Sequence, residues 1–153
     1  DEAENLMVVR GTLTEEEREM INHHVVSTIN MLDMLPFPEE LARVPEIAGS
    51  HHEDYNGQGF PTGLSGAQMP IQARILAFAD RFESVSARSR PYKTRNSLNR
   101  ALQILREMVD DGQVDPDLYR LFIEEQLYET YAIEFLSRDQ IDPVDRKVLL
   151  EGL

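Results

Sequence analysis

Apolar residues in this chain recur at intervals of three and four, and prolines and small polar residues punctuate them. Thr14 is a suitable helix N-cap, with Glu15, Glu16 and Glu17 in the first turn and Glu17 at the capping-box position. The helix it starts is predicted to run to about Met34, with Ile21, Val25, Thr28 and Leu32 on the buried stripe. Pro36 and Pro38 then break the chain, and a helix is predicted from Glu39 to about His52, kinked or divided at Pro45. Residues 53–69 hold four of the eight glycines and read as a loop. Pro70 opens a further helix ending near Ala87, and Ser97 or Asn96 caps another through about Asp111. Asp115–Pro116 and Asp142–Pro143 each join a cap to a proline at the first helical position. They predict a long helix ending near Leu136 and a short one at the C-terminus. No alternating strand pattern, repeat or low-complexity linker occurs, so the expectation is an all-α domain or part of one.

Composition narrows the picture. With 153 residues, 41% apolar and 28% charged, the chain suits one globular domain with its own core. Its net charge of −13 argues against nucleic acid polymers and anionic membranes as partners. No apolar run approaches the roughly 20 residues of a membrane span, so no membrane segment is expected in this chain. The start, DEAENLMVVR, has neither the basic end nor the apolar core of a signal peptide. With no cysteine there are no disulfides, which suits a cytoplasmic location, and any metal must be held by His, Asp or Glu. One stretch runs against the acidic background. RSRPYKTR, residues 88–95, carries Arg88, Arg90, Lys93 and Arg95 around Tyr92. It reads either as a solvated loop between helices or as a cradle for a small anion.

All four histidines come as two doublets, His23–His24 and His51–His52. Helical spacing puts His24 on the stripe of Ile21 and Thr28, pointing inward, and His23 on a more polar face with Met20, Ser27 and Asn30. An inward histidine is commonly a satisfied core residue, and a ligand only in the company of others. His51 and His52 fall where a helix meets the glycine loop. There they serve either as cationic ends on the helix dipole or as ligands to one or two metals. Asp80 lies mid-helix in ARILAFADRFESV, with Ala73, Leu76, Ala77 and Ser84 on its face. A carboxylate there calls for an ion pair, with Arg74 or Arg81 in reach, or for a metal. Together His24, His51, His52 and Asp80 are a nitrogen and oxygen donor set that suits Fe, Mn or Zn rather than Ca.

These residues resemble the HD-GYP domains, metal-dependent phosphodiesterases of bacterial cyclic di-GMP. HHEDYNGQGFPTGLSG is similar to the family's HHExxDGxGYPxGLxG, and ARILAFAD and RPYK follow it as they do there. LTEEEREMINHHVVSTINMLDMLPFP resembles the segment that carries an isolated metal-binding histidine. The resemblance is clearest over residues 13–135 and makes 1–153 the C-terminal portion of such a domain, an HD-domain-like helical bundle. It implies that His24, His51, His52 and Asp80 bind two or three divalent metals, usually iron or manganese. It places Gly59, Phe60 and Pro61 at the signature Gly-Tyr-Pro, and Arg90 and Lys93 at substrate phosphates. The implied reaction opens cyclic di-GMP to linear pGpG, and sometimes to GMP, with a metal-bound hydroxide as nucleophile and no catalytic side chain beyond it.

The chain departs from the pattern in three ways. No His-Asp pair occurs in it, and the resemblance puts the dyad, with its helices, upstream of Asp1. Phe60 replaces the signature tyrosine, keeping the ring without the hydroxyl. Asn56 replaces the aspartate before the first loop glycine and removes a charge. Two readings follow: the C-terminal piece of a phosphodiesterase whose parent adds an N-terminal sensory or receiver domain, or a non-catalytic cyclic-dinucleotide-binding or protein-interaction module. The missing helices are also expected to expose the stripe of Ile21, Val25, Ile29 and Leu32, which favours a homodimer.

Overall fold

The computed structural model describes residues 15–87 and 96–153, with side chains from His23 onward in the first stretch. Every regular element in them is helical, and the one extended pairing is an isolated bridge between Asn56 and Ser65. The predicted Thr14 cap, the Ile21 side chain, and Arg90 and Lys93 lie outside the described residues.

The chain divides into two units, residues 1–49 and 50–153. In the first, helix α1 (Glu15–Asp33) is followed by a 3-10 turn (Glu39–Leu41) and a short helix α2 (Val44–Gly49). The helix predicted from Glu39 to His52 is thus divided, and it stops at Gly49. Pro45 stands in the first turn of α2, where its missing N–H would have had no helical partner. Val25 is fully buried, and Ile29 and Leu32 are partly buried. Gly49 lies so close to Ile29 that an added Cβ would come within 2.6 Å of that side chain. Of the stripe expected to be exposed, Val25 is therefore buried and Ile29 and Leu32 are partly covered, Ile29 by Gly49 of the same unit, while the Ile21 side chain lies outside the described residues. His24 is exposed rather than turned into a core.

The second unit holds α3 (Ile71–Ser86), α4 (Leu98–Asp110), α5 (Pro116–Glu124), α6 (Leu127–Phe135) and α7 (Arg146–Leu150). Leu102, Leu105, Tyr119 and Ile123 are fully buried at its centre. Phe122 meets Phe78 and Phe82 edge-on at 5.1 and 4.9 Å between ring centres, the favoured geometry for aromatic pairs. Burial pushes the Tyr119 phenol well above its ordinary range, and its hydroxyl donates to Leu102 O.

Two predicted boundaries move for reasons of local geometry. The long helix expected from Pro116 breaks at Gln126, which adopts a left-handed conformation (φ 55°) and separates α5 from α6. Asp142 caps no helix of its own; its carboxylate accepts from Asn99 N in the first turn of α4, and Asp145 caps α7. Gln140, 2% exposed, sits in the 3-10 turn Arg138–Gln140. Its amide donates to Ser86 O and Asn96 O, the carbonyls on either side of the basic stretch, while its oxygen accepts from Ser137.

Asp115 does two jobs. Its side chain caps α5 by accepting from Asp117 N and Leu118 N, and it pairs with Arg74 of α3 at 2.6 Å. Asp115 is almost wholly buried, and Arg74 keeps a solvent-facing edge. Asp115→Ala removes the cap and strands that guanidinium, and should lower stability by about 2 kcal/mol in urea unfolding. A loss under half that value would mean that Arg74 simply rotates into water.

Candidate metal centre

The site is built on the irregular segment 51–70 of the second unit. His51 and His52 form a turn just after α2 ends, and their ring centres are 4.3 Å apart. On an ideal helix such neighbours would diverge by about 100°; in the turn the two imidazoles lie side by side. Both are partly buried. The Phe60 ring stacks on His52 with centres 4.9 Å apart and planes 29° from parallel. Phe60 N also donates to His52 O. The aromatic at the signature position thus packs on a histidine of the pair.

Three supports hold this segment in place. Arg81 of α3 reaches over with one guanidinium: Nη2 donates to Glu53 O at 2.8 Å and to Asp54 at 2.7 Å, and Nη1 donates to His51 O. The turn between α4 and α5 grips the other side, where Tyr55 N and Asn56 N donate to Gln113 O and Gly112 O. Gly59 packs flat on the chain it returns to; a Cβ there would stand 2.2 Å from Asp54 N. The Phe60–Pro61 peptide is cis.

Asp80 lies on an exposed part of α3, so burial does not explain it. Neither predicted partner goes to it: Arg74 pairs with Asp115, and Arg81 with Asp54. Among the described residues Asp80 accepts no hydrogen bond, which leaves its carboxylate available to a cation. His24 belongs to the first unit. Two adjacent imidazoles, with no thiolate, match the donor preference of a borderline divalent metal such as Fe, Mn or Zn.

Asn56 has a structural account. Its amide nitrogen donates to Asp111 O at 3.0 Å while its oxygen accepts from Gln58 N at 2.9 Å. An aspartate could make only the second bond. Asn56→Asp sets a carboxylate against a carbonyl and should cost about 1 kcal/mol, measured as a lower thermal midpoint. An unchanged midpoint would show the Asp111 contact to be energetically idle.

Glu53 and Arg81 are the residues that motif reading missed as contributors to the site. The available signal was an acid directly after a histidine doublet, and a basic residue one place beyond Asp80.

Comparison with known proteins shows the family. Residues 1–118 match the HD domain family, and the chain belongs to that family. Its HHE-to-GFP block and the following ARILAFAD place it with the HD-GYP members. It is 34% identical over 133 residues to the 3'3'-cGAMP-specific phosphodiesterase 1 of Vibrio cholerae serotype O1, covering 86% of this chain and 30% of that protein. It is 31% identical to the cyclic di-GMP phosphodiesterase of Thermotoga maritima, covering 86% of this chain and 35% of that protein. With the cyclic di-GMP phosphodiesterase response regulator RpfG of Xanthomonas campestris it shares 34% identity over 67% of this chain and 26% of that protein. The chain spans about a third of the length of the curated relatives it matches.

Proposed function

We propose that this chain is the C-terminal part of a metal-dependent phosphodiesterase that hydrolyses a cyclic dinucleotide, cyclic di-GMP in the first instance. The observation that carries the reading is the His51–His52 turn with Phe60 stacked on it, built by the same sequence block that marks the family. His24, His51, His52 and Asp80 are the proposed ligands of two or three divalent ions, iron or manganese. When bound, these ions supply a water of lowered pKa and neutralise charge on the phosphate. The chain's own residues do the rest: Phe60 offers a ring face beside His52, within the Gly59-Phe60-Pro61 segment assigned to the substrate. Arg90 and Lys93 are assigned to the substrate phosphates, which explains a basic island in a chain of net charge −13. The dyad and a sensory or receiver domain are assigned to the upstream part of the parent, in the cytoplasm.

Support for a purely binding role is weak. Asn56, one of the two substitutions that suggested it, is accounted for by its bond to Asp111 O. No helix among the described residues is long and apolar enough to cross a membrane. The test is to incubate the protein carrying this chain and its upstream segment with cyclic di-GMP or 3'3'-cGAMP and Mn²⁺. Products are then separated by chromatography. A linear dinucleotide that disappears with EDTA is the expected result. Nucleotide binding with no product from either substrate would favour the non-catalytic module.

A further inference from the structure

Glu53 is the most unusual side chain of the second unit, a fully buried acid beside two histidines. Its carboxylate is saturated by one short stretch of loop. Oε1 accepts from Thr62 N and Thr62 Oγ1, both at 2.7 Å, and from Gly63 N at 3.2 Å. Oε2 accepts from Leu64 N at 3.0 Å. A carboxylate offers about four lone-pair sites, and four donors occupy them. Glu53 is therefore not free to serve as a metal ligand despite its neighbours. Its backbone carbonyl is taken as well, by Arg81 Nη2.

The geometry points to Glu53 as a positioning residue. We infer that it folds residues 59–64 back over the turn and so holds the Phe60 ring against His52. The inference rests on the proposed metal centre, of which His52 is a ligand. Three contacts close the same small ring of chain: the carboxylate on residues 62–64, Phe60 N on His52 O, and Gly59 on the backbone of 53–54. Only the first depends on a side chain that can be changed without altering His52 or Phe60. Three backbone N–H groups converge on one carboxylate, so without it they need water or new partners, and the return of the loop loses its anchor.

The test uses the 153-residue chain. Glu53→Gln keeps the size of the side chain but turns an NH₂ group toward donors. In metal-free protein, the nuclear Overhauser contact between the Phe60 and His52 rings should disappear in this variant. Its Mn²⁺ affinity, measured by electron paramagnetic resonance of free Mn²⁺, should fall about tenfold. Thr62→Val removes only the hydroxyl donor and should leave the helical content intact. It should weaken both signals partially, with affinity down about threefold, so the idea stays testable if Glu53→Gln does not fold. Persistence of the ring contact and of full affinity in both variants would overturn the proposal. Loss of the contact with unchanged affinity would also overturn it, by making Glu53 a loop anchor without consequence for the metal. If the wild-type chain takes up no Mn²⁺, the metal reading fails on its own, and the ring contact alone decides for or against Glu53.

Discussion

Replacing His51 and His52 together by alanine should reduce Mn²⁺ or Fe²⁺ uptake about a hundredfold or more, with a thermal midpoint lower by only a few degrees. The two imidazoles are the adjacent donors of the proposed centre, and a bound metal needs its full donor set. Both side chains are only partly buried in a turn, and the core of the unit lies elsewhere, around Leu102, Leu105, Tyr119 and Ile123. Truncation should therefore lower stability by about 1 kcal/mol. Elemental analysis of the purified variant beside the wild type reads the first effect, and a thermal melt reads the second. The single variants are expected to differ. His52→Ala also removes the partner on which Phe60 stacks, so it should loosen the glycine loop, whereas His51→Ala should not. Metal retained by the double variant would move the centre away from this turn and remove the main support for phosphodiesterase chemistry.

Much of this arrangement can be read from the chain, and the misses have local causes. The caps at Ser97 and Asp115 and the opening at Pro70 are short-range signals, and α3, α4 and α5 begin where those residues predict. The break at Gln126 carries no glycine or proline to announce it; a residue other than glycine adopts the left-handed conformation there, which local propensity disfavours. Asp142 looks like a local cap because a proline follows it, yet it caps α4 from 43 positions away. Such a partner is invisible to any rule of nearest neighbours. The candidate site divides in the same way. The histidine doublet and the glycine loop are contiguous and therefore legible as a motif. The reason Asp80 has no ion-pair partner among the described residues is not, because Arg74 and Arg81 are committed to Asp115 and Asp54, distant in sequence. Helical spacing also turned His24 inward on the strength of Ile21 and Thr28. Among the described residues of that turn the buried one is its neighbour Val25, one position further round the helix.

Gly59→Ala should be the most damaging single-atom-scale change in the loop. An added Cβ would lie 2.2 Å from Asp54 N and 2.6 Å from both Glu53 C and Glu53 Cα. All three are backbone atoms, so no side chain can swing aside, and the Cβ needs more than an ångström of extra room. That segment cannot retreat, because Arg81 holds Glu53 O and Asp54, and the carboxylate of Glu53 is bound to residues 62–64. The return strand has to lift instead. Lifting it breaks the Phe60 N to His52 O bond and separates the stacked rings. A loss of about 3 kcal/mol is expected from overpacking at this point. Metal affinity should also fall about tenfold, as on loss of other groups that orient a ligand. Gly63→Ala is the informative comparison. Gly63 adopts a positive φ of 71°, but a Cβ there meets only Gly57 O, at 3.3 Å. That substitution should cost about 1 kcal/mol of backbone strain and leave the ring contact in place. Equal damage from the two substitutions would mean that the loop is held by its conformation alone. Damage confined to Gly59→Ala would place the control of His52 at the point where the chain crosses itself.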